Sequence, residues 1–186
     1  EYTKRGLQSL FDTKRGKELS ALVDPYSYRH RIKDMPKLVI NATNDAYWTL
    51  DALNLYWSDL GNNKNILYVP NQPHGIRDID RVVASAAAFM RRLGENKTLP
   101  KLEWKHQATA DRTSIHVNPK EKPLEVRVWV ALADTKDFRK SRWRMNVLEA
   151  NASGRYETFY ETPDKGFKAF FVEVKYGSEK HTYTLS

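Results

Sequence analysis

The pattern of apolar and polar residues changes about halfway along the chain. In the first half, the short apolar runs "LVINAT" (38–43) and "NILYVPN" (65–71) are typical of buried strands. The segments "TLDALNLYWSDL" (49–60) and "RDIDRVVASAAAFMRRL" (77–93) instead repeat apolar residues at helical spacing. The order strand, helix, strand, helix predicts two parallel strands joined by a right-handed crossover.

After the linker "GENKTLP" (94–100), apolar and polar residues alternate, which is typical of half-buried strands. Seven segments show this pattern: "LEWKHQA" (102–108), "TSIHVNP" (113–119), "LEVRVWVALA" (124–133), "RWRMNVLEA" (142–150), "RYETFYET" (155–162), "GFKAFFVEVKY" (166–176) and "HTYTL" (181–185). With no helical segment between them, they predict an immunoglobulin-like antiparallel β-sandwich. We therefore expect two domains, residues 1–95 and residues 96–186.

Composition narrows the classes of partner. The 186 residues include 31 Lys and Arg against 23 Asp and Glu, a net charge of +8. Because these cations are interspersed with acids along the whole chain, we do not expect nucleic-acid binding.

No run approaches the roughly 20 apolar residues of a transmembrane helix. The chain has no cysteine, and its histidines in the second half lack carboxylates at ligand spacing, so we expect neither a metal site nor a cofactor.

Two polar residues that suit catalysis follow the two predicted strands of the first half. Asp45 comes directly after the first strand, in "NATND", and His74 follows the second strand, in "VPNQPHG". Ligands of open α/β sheets bind at the carboxyl ends of the strands, so both residues are candidates for a site at one sheet edge. In α/β-hydrolases the order along the chain is serine, acid, histidine, with acid and histidine after late strands. The pattern therefore predicts Asp45 and His74 as the acid and the base of a catalytic triad.

Each residue taken alone also has a purely structural interpretation. Asp45 suits a turn or a helix cap, and His74 lies in a loop rich in Pro and Gly. Their joint placement, 29 positions apart at the ends of successive strands, favours the triad. Tyr47 and Trp48 lie next to Asp45, where they either line a substrate pocket or cover the sheet, and we assign them to substrate binding.

Several motifs also resemble a known family. They are "DPYSY" (24–28), "MPKLVINATND" (35–45), "YWSDL" (56–60), "YVPNQPH" (68–74) and "GFKAFFVE" (166–173). Together they resemble the C-terminal part of the PhoPQ-activated pathogenicity-related protein family. The resemblance implies an α/β-hydrolase domain followed by a β-sandwich, with Asp45 as triad acid and His74 as triad base. It also implies a secreted, periplasmic or envelope-associated protein.

The chain lacks the third member of the triad. None of its ten serines lies in a G-x-S-x-G nucleophile elbow, and only 44 residues precede Asp45. We therefore expect residues 1–95 to be the C-terminal part of an α/β-hydrolase sheet, whose missing N-terminal part carries the serine. The predicted function is the C-terminal portion of a serine-type hydrolase acting on a small-molecule or peptide substrate. The alternative is a non-catalytic protein that binds an envelope component or a glycan through a hydrolase scaffold.

Overall fold

The chain begins with three short helical segments that the sequence analysis did not predict. The computed structural model describes residues 4–178 and 181–186. The first segments are helix α1 (Leu7–Phe11), helix α2 (Lys14–Val23) and the 3₁₀ helix Pro25–Ile32, and none of the three has a buried residue. A helix is recognised in a sequence by the stripe of apolar residues that it buries. Because these three segments bury no residue, their sequences gave little indication of a helix.

The strands of the first half lie where the apolar runs predicted them. Strand β1 (Lys37–Ala42) pairs in parallel with strand β2 (Lys64–Val69). The second predicted helix is helix α3 (Ile79–Gly94), whose N-cap Asp78 accepts a hydrogen bond from the backbone N–H of Arg81. Helix α3 follows β2 directly, so the loop that carries His74 lies between these two elements.

The prediction of one helix over residues 49–60 is wrong. The segment forms two 3₁₀ helices, Ala52–Leu55 and Trp57–Leu60, which are separated at Tyr56. Asp, Asn and Ser residues within the segment compete with the backbone for hydrogen bonds, and no side chain caps the first 3₁₀ helix. Only one side chain of each 3₁₀ helix is buried, Leu53 and Leu60, so packing does not compensate for this poor helix propensity.

All seven strands predicted for the second half are present. They are β3 (Leu102–Ala108), β4 (Arg112–Pro119), β5 (Glu125–Ala133), β6 (Arg144–Leu148), β7 (Tyr156–Glu161), β8 (Phe167–Ser178) and β9 (His181–Leu185). They form two antiparallel sheets, one in the order β3-β4-β7 and one in the order β6-β5-β8-β9. The fold is therefore mixed α/β and rich in strands.

One hydrophobic core joins the two antiparallel sheets. Its fully buried side chains include Val117 of the three-stranded sheet and Val126, Val174 and Leu185 of the four-stranded sheet. Ala88 of α3 belongs to the same cluster of buried side chains, so the helix of the first half packs on the second half. The division into domains 1–95 and 96–186 stays a prediction.

The four-stranded sheet also packs on the parallel strands. The ring of Phe171 on β8 lies 5.2 Å from the ring of Tyr68 on β2. The hydroxyl of Ser85 on α3 donates to the carbonyl of Thr184 on β9 at 2.9 Å. The backbone N–H of Ser186 donates to the carbonyl of Ile66 at 2.9 Å, so the end of the chain lies along the edge of β2. These contacts hold β2, and with it the loop that carries His74, against the second half.

Within the described part of the chain, no helix is long and apolar enough to cross a membrane.

Gly61, the C-cap residue of the 3₁₀ helix Trp57–Leu60, provides a test of how closely the end of this helix packs on the neighbouring backbone. Its φ is +77°, and a Cβ added there would lie 2.2 Å from the backbone carbonyl oxygen of Lys33. Gly61→Ala should therefore lower the free energy of unfolding by about 2 kcal/mol, through backbone strain and a clash with fixed backbone. Gly94→Ala is the control, since nothing lies within 4 Å of its Cβ position, and it should be neutral or stabilising. Urea unfolding of both variants measures the difference, and equal effects would contradict this explanation.

Candidate active site

Asp45 lies at the carboxyl end of β1, and backbone amides fix its side chain. The turn after β1 brings the backbone N–H groups of Tyr47 and Trp48 to Oδ1 of Asp45, at 2.7 and 3.1 Å. The residue is only 7% exposed. One carboxylate oxygen is thus occupied by the local backbone, and the other oxygen is left for a partner from a different loop.

That partner is His74. Its Nδ1 lies 2.9 Å from Oδ2 of Asp45, and 49% of its side chain is exposed. Because β1 and β2 are parallel, the loops that follow them leave the same edge of the sheet and bring together two residues 29 positions apart. Among the described residues, none makes a hydrogen bond to Nε2 of His74.

The hydrogen bonds to Asp45 determine its charge and the orientation of the histidine. Burial by itself raises the pKa of Asp45, but the hydrogen bonds from His74 and from the amides of Tyr47 and Trp48 outweigh it, so the net pKa lies below the ordinary value of 3.8. The carboxylate is therefore ionised at neutral pH and can only accept hydrogen bonds. Nδ1 of His74 must carry the proton of this bond, which leaves the lone pair of a neutral imidazole on Nε2.

The two aromatic residues predicted for the site both contact the histidine ring, and their own ring centroids lie 6.3 Å apart. The Trp48 ring stacks on the His74 ring with a centroid distance of 4.9 Å and an angle of 18°, and the Tyr47 ring lies 4.8 Å away at 54°. Both aromatic residues remain more than half exposed, at 57% and 56%. The structure thus brings all four predicted site residues together, with Asp45 buried and with His74, Tyr47 and Trp48 exposed.

Sequence reasoning missed the residues that hold the two site loops together. The backbone N–H of Asn71, in the loop after β2, donates to the Thr43 hydroxyl at 2.9 Å, and the N–H of Asn44 donates to the carbonyl of Gln72 at 3.0 Å. Asn71 has a positive φ of 58°. An asparagine that directly follows one proline and lies two positions before another indicates a turn and nothing more specific, so the sequence gives no sign of these contacts.

Two further histidines, His116 and His106, lie on the three-stranded sheet and interact with side chains there. His116 pairs with Glu157 at 3.1 Å on the exposed face of the three-stranded sheet, and His106 stacks on Trp104. Within residues 4–178 and 181–186, no group of three or more His, Cys, Asp or Glu side chains is arranged to hold a metal ion.

The lowered pKa of Asp45 predicts how the stability of the site depends on pH. Because the folded state binds the Asp45 proton more weakly than the unfolded state, the ionised carboxylate stabilises the fold above pH 3.8, and this contribution is lost as the pH falls through the lower folded pKa. Asp45→Asn should therefore be less stable than the wild type at about pH 6, and the difference should shrink as the pH falls below 3.8. Urea unfolding across this range measures the difference, and a gap that does not change with pH would contradict the prediction.

Comparison with known proteins places the chain in a family. The sequence profile of the PhoPQ-activated pathogenicity-related proteins matches residues 1–139, which include Asp45 and His74. The autocrine proliferation repressor protein A of Dictyostelium discoideum is 29% identical over 213 aligned positions, which cover 100% of this chain and 43% of that protein. The chain thus spans less than half the length of this relative. No solved structure matches. The chain belongs to the PhoPQ-activated pathogenicity-related protein family.

Proposed function

We propose that the chain is the C-terminal portion of a serine-type hydrolase and supplies the acid and the base of its catalytic triad. The observation that carries this proposal is the hydrogen bond between His74 Nδ1 and Asp45 Oδ2 at the carboxyl edge of two parallel strands. The acid is buried and held by two backbone amides, whereas about half of the side chain of the base is exposed. This is the arrangement that a histidine needs in order to take a proton from a hydroxyl.

In this proposal each group has a defined proton-transfer role. Nε2 of His74 takes the proton of the serine hydroxyl as that oxygen attacks the carbonyl carbon, and later gives it to the leaving group. Asp45 keeps Nδ1 protonated and stabilises the imidazolium that forms, without taking the proton itself. The ring of Trp48 restricts the rotation of the imidazole by stacking on it.

The serine would lie in polypeptide beyond these 186 residues, as part of an α/β-hydrolase sheet to which β1 and β2 belong. Exposed large apolar side chains, close together along the sequence, support such additional polypeptide, since an exposed apolar patch often marks a surface that another polypeptide covers. Those in the first 35 residues include Leu10, Leu19, Leu22, Val23, Ile32 and Met35. We call the natural polypeptide that contains both parts the full-length protein.

The strand order supports an immunoglobulin-like sandwich for the second half. Counted from β3, the seven strands form sheets in the orders one-two-five and four-three-six-seven. The constant-type immunoglobulin domain has one-two-five-four and three-six-seven, so the two arrangements differ only in the partner of the fourth strand. Here that strand, β6, pairs with β5.

The substrate class follows from the proposed chemistry and the exposed aromatic rings. A serine triad cleaves esters or peptides, and Tyr47 and Trp48 place two aromatic rings beside the base, against which an acyl or leaving group can pack. Family membership supports a secreted, periplasmic or envelope-associated location.

Hydrolysis of 4-nitrophenyl esters by the full-length protein tests this function. We expect turnover that saturates with substrate, because a positioned triad accelerates acyl transfer far beyond the reaction in water. Absence of turnover with esters and with peptide anilides would contradict the proposal. That result would favour the alternative of a non-catalytic protein that binds an envelope component or a glycan.

A further inference from the structure

The loop between β5 and β6 is fixed to both loops of the candidate site. It comprises residues 134–143, and we call it the β5–β6 loop. The side-chain amide of Asn44, the residue before Asp45, lies within hydrogen-bonding distance of three of its carbonyls, those of Phe138, Arg139 and Ser141, at 3.3, 3.1 and 2.7 Å. A segment from the second half of the chain therefore lies directly beside the predicted catalytic acid.

A second anchor holds the end of the β5–β6 loop to the loop that carries His74. The side-chain amide of Asn71 donates to the carbonyl of Trp143 at 3.0 Å, and its Oδ1 accepts the backbone N–H of Trp143 at 2.7 Å. The Trp143 side chain is buried and packs against Phe138 and Phe171. Because asparagines from both site loops bind the β5–β6 loop, its position relative to Asp45 and His74 is fixed.

The β5–β6 loop carries more cations than anions. It contains four cationic side chains and two carboxylates, Asp134 and Asp137. Arg139 is bound by both oxygens of Asp137, at 2.8 and 2.6 Å, and Lys136 lies over the ring of Phe167. The other two cations, Lys140 and Arg142, are exposed, and neither makes an ion pair within the described part of the chain.

We propose that the β5–β6 loop forms one wall of the substrate site and that Lys140 and Arg142 select substrates with a negatively charged group near the scissile bond. These residues flank Ser141, whose carbonyl is held 2.7 Å from the side-chain amide of Asn44. Their long side chains therefore begin one residue from a contact with Asn44, the neighbour of Asp45 in the chain, and a guanidinium and an ammonium are the groups that bind carboxylates and phosphates. The inference rests on the proposed hydrolase function and adds the charge of the substrate to it.

Matched esters test this selectivity in the full-length protein. The 4-nitrophenyl monoester of glutaric acid carries a carboxylate on a five-carbon acyl chain, and 4-nitrophenyl valerate is its neutral counterpart. We expect the wild type to prefer the glutarate ester in kcat/KM, and the double variant Lys140→Ala/Arg142→Ala to lose about tenfold of that preference, through KM. The preference should also shrink as salt is added, because exposed charges are screened.

The control variant removes two cations from the opposite end of β5. Lys101→Ala/Lys122→Ala changes the net charge by the same amount, and both residues are exposed near the ends of β4 and β5 that lie away from the β5–β6 loop. It should retain the preference for the glutarate ester. A wild type that hydrolyses both esters equally, or a preference that survives in Lys140→Ala/Arg142→Ala, would overturn the inference and leave the hydrolase function intact.

A binding measurement keeps the inference testable if the full-length protein hydrolyses neither ester. NMR spectra of the full-length protein are recorded with glutarate and, separately, with the neutral five-carbon amide pentanamide. The inference predicts that glutarate alone shifts the side-chain signals of Arg142 and His74, and that Lys140→Ala/Arg142→Ala abolishes these shifts. Absence of shifts with glutarate, or equal shifts with pentanamide, would overturn it.

Discussion

His74→Ala and Asp45→Asn should each lower kcat/KM for ester hydrolysis by the full-length protein by about 10⁴-fold. His74→Ala removes the group that takes the serine proton. Asp45→Asn puts an amide, which can donate to Nδ1 of His74, in place of the carboxylate that accepts from it, so that the proton moves to Nε2 and this nitrogen can no longer accept the serine proton. Initial rates with 4-nitrophenyl esters measure the effect, and circular dichroism verifies that both variants fold.

The chain offers a matched control for this prediction. His116 pairs with Glu157 at 3.1 Å, with side chains 47% and 50% exposed, so it is a second histidine–carboxylate pair on the surface. It lies on the three-stranded sheet, away from the carboxyl edge of β1 and β2, and His116→Ala should leave the rate unchanged. Equal activity of wild type, His74→Ala and Asp45→Asn would contradict the assignment of the triad.

Glu173→Gln should lower the free energy of unfolding of the chain by about 3 kcal/mol. Glu173, on β8, is fully buried, and its two carboxylate oxygens bind Arg81 of α3 and Arg127 of β5. Each of these arginine side chains is only 18% exposed. The substitution keeps the size of the side chain but removes the buried charge that Arg81 and Arg127 share, so that their remaining carboxylate partners are Asp78 and Glu125, which are 35% and 30% exposed. Urea unfolding measures the loss.

Glu125→Gln is the control for Glu173→Gln because Glu125 also binds Arg127 but is 30% exposed. Removing the charge of Glu125 should lower the free energy of unfolding by no more than about 1 kcal/mol, since water compensates part of the change. If the two substitutions lower the free energy of unfolding by similar amounts, the burial of the Arg81–Glu173–Arg127 network does not add to its stabilising effect. In that case the packing of α3 on the four-stranded sheet would rest on apolar contacts and on Ser85 alone.

The strands were the most predictable part of the fold. Two-residue alternation located all seven strands of the second half, and the apolar runs located β1 and β2. A strand buried on one face repeats its pattern locally, so a short stretch of sequence suffices to recognise it. The pair of Asp45 and His74 was predictable for a related reason, because parallel strands deliver the residues after them to one sheet edge.

The parts of the fold and of the site that the sequence did not predict depend on contacts between residues far apart in the chain. The segment 49–60 has helical spacing but poor helix propensity, so its 3₁₀ conformation depends on surroundings that the sequence pattern does not reveal. Likewise, the contact of Asn44 with Phe138, Arg139 and Ser141 spans more than 90 residues. Such side-chain contacts leave no periodic signal, and so the role of the β5–β6 loop could not be predicted.

Covalent labelling of the full-length protein with a fluorophosphonate, followed by intact-mass analysis, tests the central claim most directly. This reagent adds to a serine only when a base activates it. The account predicts that the wild type gains the mass of one phosphonyl group, on a serine outside the 186 residues described above, and that His74→Ala gains it far more slowly. A full-length protein that never labels, or a His74→Ala variant that labels as fast as the wild type, would contradict the account.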